Sequence, residues 1–146
     1  MKIKYFLSIL IVISFTAVYG NNNFVNGFII TNEHDTIVGL LDFKTDYSNS
    51  TICKFKTNED STVKIYQPGE IYGFRFFDEG KFYVSKNVTI KDSLNVNVFL
   101  EFLVQGMLNL YYLNSDWREY YFSLLSGKTG KLIFVPYLRG FRPCIS

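Results

Sequence analysis

An alternation of apolar and polar side chains between Asn95 and Gln105 most constrains the fold of this 146-residue chain. Every second residue is apolar: Val96, Val98, Leu100, Phe102 and Val104. Side chains that repeat with a period of two point to opposite faces of an extended strand. A helix is the alternative, because Leu94, Val98 and Phe102 also recur every four residues. The β-branched and aromatic content, together with Gly106, favours a strand.

The residues after this stretch predict two further antiparallel strands. A three-residue loop from Val104 to Gly106, with Gly106 at positive φ, would place Phe102 opposite Leu108 and keep apolar pairs on one face. The polar segment 114–118 then turns the chain again. Three later side chains extend the same apolar face: Tyr120, Phe122 and Leu124. The sequence therefore predicts a three-stranded meander, one face of which must be covered.

Residues 24–31 and 36–43 predict a hairpin near the start of the chain. The turn residues at 32–35 include Asn and Asp, which suit such positions. A four-residue loop pairs Ile30 with Ile37 and makes both faces of the hairpin apolar. We therefore expect both faces to be covered.

Turn signals divide the rest of the chain into short segments. Residues 46–50 predict a polar connector, and Gln67-Pro68-Gly69-Glu70 fits a type II turn with Gly69 at positive φ. Gly80 ends a second hairpin loop, and 131–135 is a last strand. The sequence thus predicts an all-β fold, an antiparallel meander of about ten short strands that forms a sandwich or a partly open barrel.

Residues 1–20 have the composition of a secretory signal peptide. Lys2 and Lys4 precede an apolar run at 6–15, and Gly20 suits a cleavage site. An uncleaved membrane anchor is the alternative, but the run is shorter than the roughly 20 residues that span a bilayer. We predict an exported protein that is periplasmic, outer-membrane associated or extracellular.

The predicted organisation after cleavage is a single all-β domain at 21–135 and an irregular C-terminal tail at 136–146. The signal peptide would engage the export machinery only. Two of the 15 Lys and Arg residues lie in 1–20, which leaves 13 against 13 Asp and Glu. Because counterion release needs an excess of cations, nucleic acid is not an expected partner.

The two cysteines allow two interpretations. Cys53 and Cys144 could form a disulfide in an exported chain, closing a long loop. Cys53 also lies in a strand-like run, where a buried free thiol is equally natural.

Candidate catalytic chemistry is sparse. His34 is the only histidine, and its setting between Glu33 and Asp35 predicts a solvated turn rather than a metal site. The carboxylates are scattered, at Asp42, Glu70, Asp78, Glu101 and Glu119. No pair can be assigned as acid and base from the sequence. We therefore predict no catalytic residue, no metal and no cofactor.

The segment Asp116-Trp117-Arg118 is the candidate binding loop. A Trp in a polar hairpin loop can stack on a sugar ring or a partner side chain, while Asp116 and Arg118 supply directional hydrogen bonds. The alternative is that Trp117 folds back and anchors the loop.

Three segments resemble a group of uncharacterised exported proteins of Bacteroidetes bacteria. They are Phe28-Ile29-Ile30-Thr31-Asn32 with Asp35-Thr36-Ile37-Val38-Gly39, Tyr66-Gln67-Pro68-Gly69-Glu70-Ile71-Tyr72-Gly73-Phe74, and Phe99 to Gly106 with Leu110-Tyr111-Tyr112. The resemblance covers most of residues 24–125. It implies an envelope or secreted location and no known activity. Members of the group often continue into a longer C-terminal region, so the resemblance implies that the tail at 136–146 is a shortened version of that region.

These observations predict an exported, non-enzymatic β module. It would bind or pack against another envelope component, a protein or a glycan, through a sheet edge or the aromatic loop. One alternative is a small outer-membrane barrel, which needs strands of roughly 9–11 residues. The other is an extracytoplasmic enzyme, which needs polar groups that converge in a pocket.

Overall fold

The computed structural model describes residues 23–90, 94–115, 118–125 and 132–135. Within these residues, the elements are β1 (Phe24–Ile30), β2 (Thr36–Asp42), α1 (Asp46–Thr51), β3 (Cys53–Lys56), β4 (Lys64–Tyr66), β5 (Gly73–Phe76), β6 (Phe82–Ile90), β7 (Leu94–Val104), β8 (Leu108–Ser115), β9 (Arg118–Leu125) and β10 (Ile133–Val135). The prediction of an all-β fold is confirmed.

All ten strands belong to one antiparallel sheet, in the order β10-β9-β8-β7-β6-β5-β1-β2-β3-β4. Two meanders, β1 to β4 and β5 to β10, are joined because β5 pairs with β1. Strands β4 and β10 are the two edges and do not pair with each other in the described part of the chain. The sheet is therefore not closed into a barrel.

The buried side of the sheet changes at β6 and β7. Tyr83 and Phe99 lie in one hydrophobic core, whereas the adjacent Val84 and Leu100 lie in another. We call the side of Tyr83 and Phe99 the first face and the side of Val84 and Leu100 the second face. The first face is buried along β1 to β6, mainly by Ile29, Leu41, Phe55, Phe74 and Phe76. The second face is buried along β6 to β9, mainly by Val88, Tyr111, Leu113 and Phe122.

The strand predicted from the alternation is present as β7, so the helix alternative is wrong. The predicted register is also wrong, because Phe102 lies opposite Tyr111 and Val104 opposite Leu110, with an irregularity between them. The glycines at positive φ in the described part of the chain are Gly69 and Gly80, and Gly106 is not among them. Strand β8 is apolar on both faces, so its pattern cannot specify one register.

The third strand of the meander follows the prediction more closely. Leu113 lies opposite Tyr120, and Tyr111 lies opposite Phe122. Tyr120, Phe122 and Leu124 therefore extend the second face, where Leu100 is buried.

The first hairpin forms with a different register from the predicted one. Ile29, rather than Ile30, lies opposite Ile37, and the loop has five residues, 31–35. The expectation that both faces are covered is wrong, since Val38 is 63% exposed. The register brings Gly27 opposite Gly39.

The two predicted turns are confirmed. Gly69 has φ 102°, and the Glu70 N–H donates to the Gln67 carbonyl oxygen at 3.0 Å. Gly80 has φ 66° and ends the hairpin loop between β5 and β6.

The segment predicted as a polar connector joins β2 to β3, but it forms the short helix α1, which was not predicted. Thr45 caps the helix, because its side-chain oxygen accepts a hydrogen bond from the Ser48 N–H at 3.3 Å. Asp46 in the first turn complements the helix dipole. The helix contacts β7 and β8.

Candidate binding surface

Directly paired residues of neighbouring strands lie on the same side of a sheet. One such row crosses the first face from β6 to β10 and contains Tyr83, Glu101, Tyr112, Tyr121 and Val135. Toward the loop between β7 and β8, the next two rows contain five apolar side chains: Val104, Leu110, Ile133, Leu108 and Leu125. We call these five residues the open face.

The open face is exposed to solvent. The exposed fractions are 54% for Val104, 55% for Leu108, 49% for Leu125 and 66% for Ile133, and Leu110 is half-buried. Met107, in the adjoining loop, is also exposed. Scattered exposed apolar residues are ordinary, but a contiguous group on one sheet face marks an interaction surface.

Helix α1 borders the open face across the row of Glu101. The Asp46 carboxylate Oδ1 accepts hydrogen bonds from Lys81 Nζ at 2.5 Å and from the Tyr83 hydroxyl at 3.0 Å. Lys81 Nζ also donates to Glu101 Oε2 at 3.2 Å. A single ammonium group therefore links the helix to β7 through two carboxylates.

This ion cluster changes the pKa values of both Lys81 and Glu101. Burial lowers the pKa of Lys81, but its contacts with Asp46 and Glu101 outweigh burial and leave that pKa raised. Burial also raises the pKa of the Glu101 carboxyl, and the attraction of Lys81 offsets this only in part. The pKa values of both groups can be raised together, because Lys81 has two anionic partners whereas Glu101 shares one cation with Asp46.

Tyr112 lies between the open face and a third carboxylate. Its hydroxyl donates to Glu119 Oε1 at 3.3 Å, and its ring centroid lies 5.3 Å from that of Tyr121. Burial is the main cause of the raised pKa of Tyr112, and the negative charges of Glu119 and Asp46 add to it. We call Asp46, Glu101 and Glu119 the acidic margin of the open face.

The candidate binding loop falls largely outside the described residues, which include neither Asp116 nor Trp117. Arg118 is exposed at the start of β9, opposite Ser115. The loop thus connects strand ends adjacent to Glu119, and Arg118 immediately precedes that residue.

The other residues singled out in the sequence lie apart from this surface. His34 is in an exposed turn with φ 70°, and its ring centroid lies 5.0 Å from that of Tyr72. Cys53 is buried in the core of the first face with a free thiol, and Cys144 lies outside the described residues. No group of three metal-binding side chains occurs in the described part of the chain.

The structure separates the scattered carboxylates by environment. Asp42 is buried, with Lys44 Nζ at 3.4 Å from Oδ1 and Lys54 Nζ at 3.7 Å from Oδ2. Glu70 accepts a hydrogen bond from the Gln67 N–H at 2.7 Å within its own turn. Asp78 is exposed in a hairpin loop. Glu101 and Glu119 alone of the five lie beside the open face.

Sequence reasoning missed Asp46 and Lys81. The Thr45-Asp46 pair is a helix-start signal that could have located α1. The residues near Lys81 do not predict its ion pair, because its partner Asp46 lies 35 residues earlier in the chain.

Comparisons with protein-family models, curated proteins and solved structures found no match for this chain. Among the described residues, no helix has the length and apolar character needed to cross a bilayer.

Proposed function

We propose that this chain is an exported, non-enzymatic β module that binds a protein component of the cell envelope through its open face. The observation that carries the proposal is the exposure of Val104, Leu108, Leu125 and Ile133 on one side of β7 to β10. Apolar side chains grouped in this way gain free energy when a partner removes them from water.

The surroundings of the open face support a binding role. Tyr112 and Tyr121 border the apolar side chains, and Tyr is enriched in protein interfaces because it combines apolar area with a hydroxyl. The polar groups of the acidic margin bond to Lys81 and Tyr112. Such mutual bonding supports a structural or recognition role for them rather than a catalytic one.

The export part of the proposal rests on residues 1–20, whose two lysines and apolar run have the order found in signal peptides. Cleavage after Gly20 would give a mature chain that starts at Asn21. Mass measurement of the protein recovered from the envelope or medium checks this, and an intact Met1 would contradict it.

Site-specific photo-crosslinking tests the binding surface. A photoreactive amino acid is placed at Leu108 or Leu125, and the same residue is placed at Val38 as a matched control. Val38 is somewhat more exposed than either residue, and it lies on β2, away from the open face. Each variant is irradiated in an envelope extract, and the products are identified by mass spectrometry.

We expect Leu108 and Leu125 to give the same defined adduct with one envelope protein and Val38 to give none. Equal yields of the same adducts from all three positions would contradict a specific surface. Absence of any protein adduct at Leu108 and Leu125 would also contradict the proposal.

A further inference from the structure

The charges beside the open face are unbalanced. The acidic margin has three carboxylates, at Asp46, Glu101 and Glu119, whereas the cation that bonds to them in the described residues is Lys81. Lys81 bonds to the first two, whereas Glu119 accepts a hydrogen bond from the neutral Tyr112 hydroxyl. This margin therefore attracts a cation and repels an anion.

The strand register fixes the distance between the apolar and acidic parts. Leu108 and Tyr112 are four residues apart on β8, which is about 13 Å at the rise of a β-strand. Glu119 lies opposite Asn114, one row beyond Tyr112 on the same face. A segment lying along β9, beside the helix that packs on β7 and β8, would pass from apolar contacts to the Glu119 carboxylate within about 13 to 20 Å.

We propose that the partner presents an extended protein segment with apolar side chains over the open face and an Arg or Lys about four to six residues away. This proposal rests on the proposed function and names the chemistry of its partner. The cation would bond to Glu119 and stack on the ring of Tyr112, while Glu101 adds long-range attraction. A segment with Glu at that position would meet like charge and bind more weakly.

Three labelled peptides of one design test this chemistry. Each carries the same Leu-Val-Leu core in an otherwise Ser and Thr context, and the residue five positions beyond it is Arg, Gln or Glu. Binding to the mature protein is measured by fluorescence anisotropy at low and high salt. The protein variants are Glu119→Gln and, as a matched control, Glu33→Gln, which is exposed in the loop between β1 and β2.

We expect the Arg peptide to bind at least about five-fold more tightly than the Glu peptide at low salt, with the Gln peptide between them. High salt should reduce the difference, because it screens exposed charges. Glu119→Gln should also reduce it, and Glu33→Gln should leave it unchanged.

Equal affinities for the three peptides would overturn the cation preference but would not contradict binding through the open face. Failure of all three to bind at millimolar concentration would overturn the proposed partner segment as a whole. Crosslinking from Leu108 decides the proposed function separately, because it requires no assumption about charge.

Discussion

Leu108 of β8 and Leu125 of β9 lie directly opposite each other, and about half of each side chain is exposed. On the other side of the same two strands, Tyr111 and Phe122 form a pair that is buried. Two neighbouring strands thus carry apolar residues on both faces but bury only one. This difference distinguishes the open face from a surface that merely contains isolated apolar residues.

Replacement of Lys81 should destabilise the attachment of α1. Lys81→Met keeps a long apolar side chain but leaves Asp46 and Glu101 close together without a cation. We expect a loss of about 1–2 kcal/mol in the free energy of unfolding, measured by urea denaturation. Lys64→Met, at an exposed position on β4, is the control and should change stability by less than about 0.5 kcal/mol. Equal losses would show that the ion cluster does not hold the helix.

The raised pKa of Glu101 predicts a pH-dependent effect of Glu101→Gln. A carboxyl whose pKa is higher in the folded chain than in the unfolded chain stabilises the fold fully below the unfolded pKa. That contribution is lost as pH rises through the folded pKa. The stability of the Gln variant relative to the wild type should therefore increase from pH 4 to pH 7, as checked by urea denaturation at both values. A relative decrease would contradict the role assigned to burial.

Gly27 and Gly39 lie opposite each other, and neither position has room for a side chain. A Cβ at Gly27 would collide with the backbone carbonyl oxygen of Arg75 on the neighbouring strand. We expect Gly27→Ala to cost about 2–3 kcal/mol, measured by thermal or urea unfolding. At Gly106 the nearest atom to an added Cβ is the Leu108 carbonyl oxygen at 3.6 Å, so Gly106→Ala should be tolerated. A tolerated Gly27→Ala would contradict the close approach of β1 to Arg75 on β5.

The Cys53 thiol should be inert in the folded protein. It is buried, and burial raises its pKa, so the reactive thiolate is scarce at neutral pH. Iodoacetamide at pH 8 should leave the peptide that contains Cys53 unlabelled until urea unfolds the chain, as followed by mass spectrometry. Rapid labelling of that peptide in the native protein would contradict its place in the core.

The sequence was sufficient to predict β7, because polar residues at Asn95 and Asn97 mark one face of that strand clearly. It was not sufficient to predict how β8 pairs with β7. In β8, Leu108 and Leu110 are apolar on one face and Tyr111 is largely apolar on the other. A shift in register by one residue would therefore still place apolar side chains on the buried face. The observed register is the one that brings the aromatic rings of Tyr111 and Phe102 into contact, with their centroids 5.3 Å apart.

The acidic margin was beyond prediction for a different reason. The sequence around each of its residues gives no sign that the three carboxylates come together. Asp46 starts a six-residue helix, and Glu101 and Glu119 lie in separate strands. They become neighbours only after the helix packs on β7 and β8. The candidate binding loop at 116–118 is still a prediction, because Asp116 and Trp117 lie outside the described residues.

The most direct test compares the same substitution on the two faces of β8. Leu108 belongs to the open face, whereas Leu113 is 1% exposed in the core of the second face. We predict that Leu108→Thr lowers the free energy of unfolding by less than about 1 kcal/mol, and that Leu113→Thr lowers it by about 3 kcal/mol or more. If the two substitutions cost the same, Leu108 is part of a core, and the open face is not available to a partner.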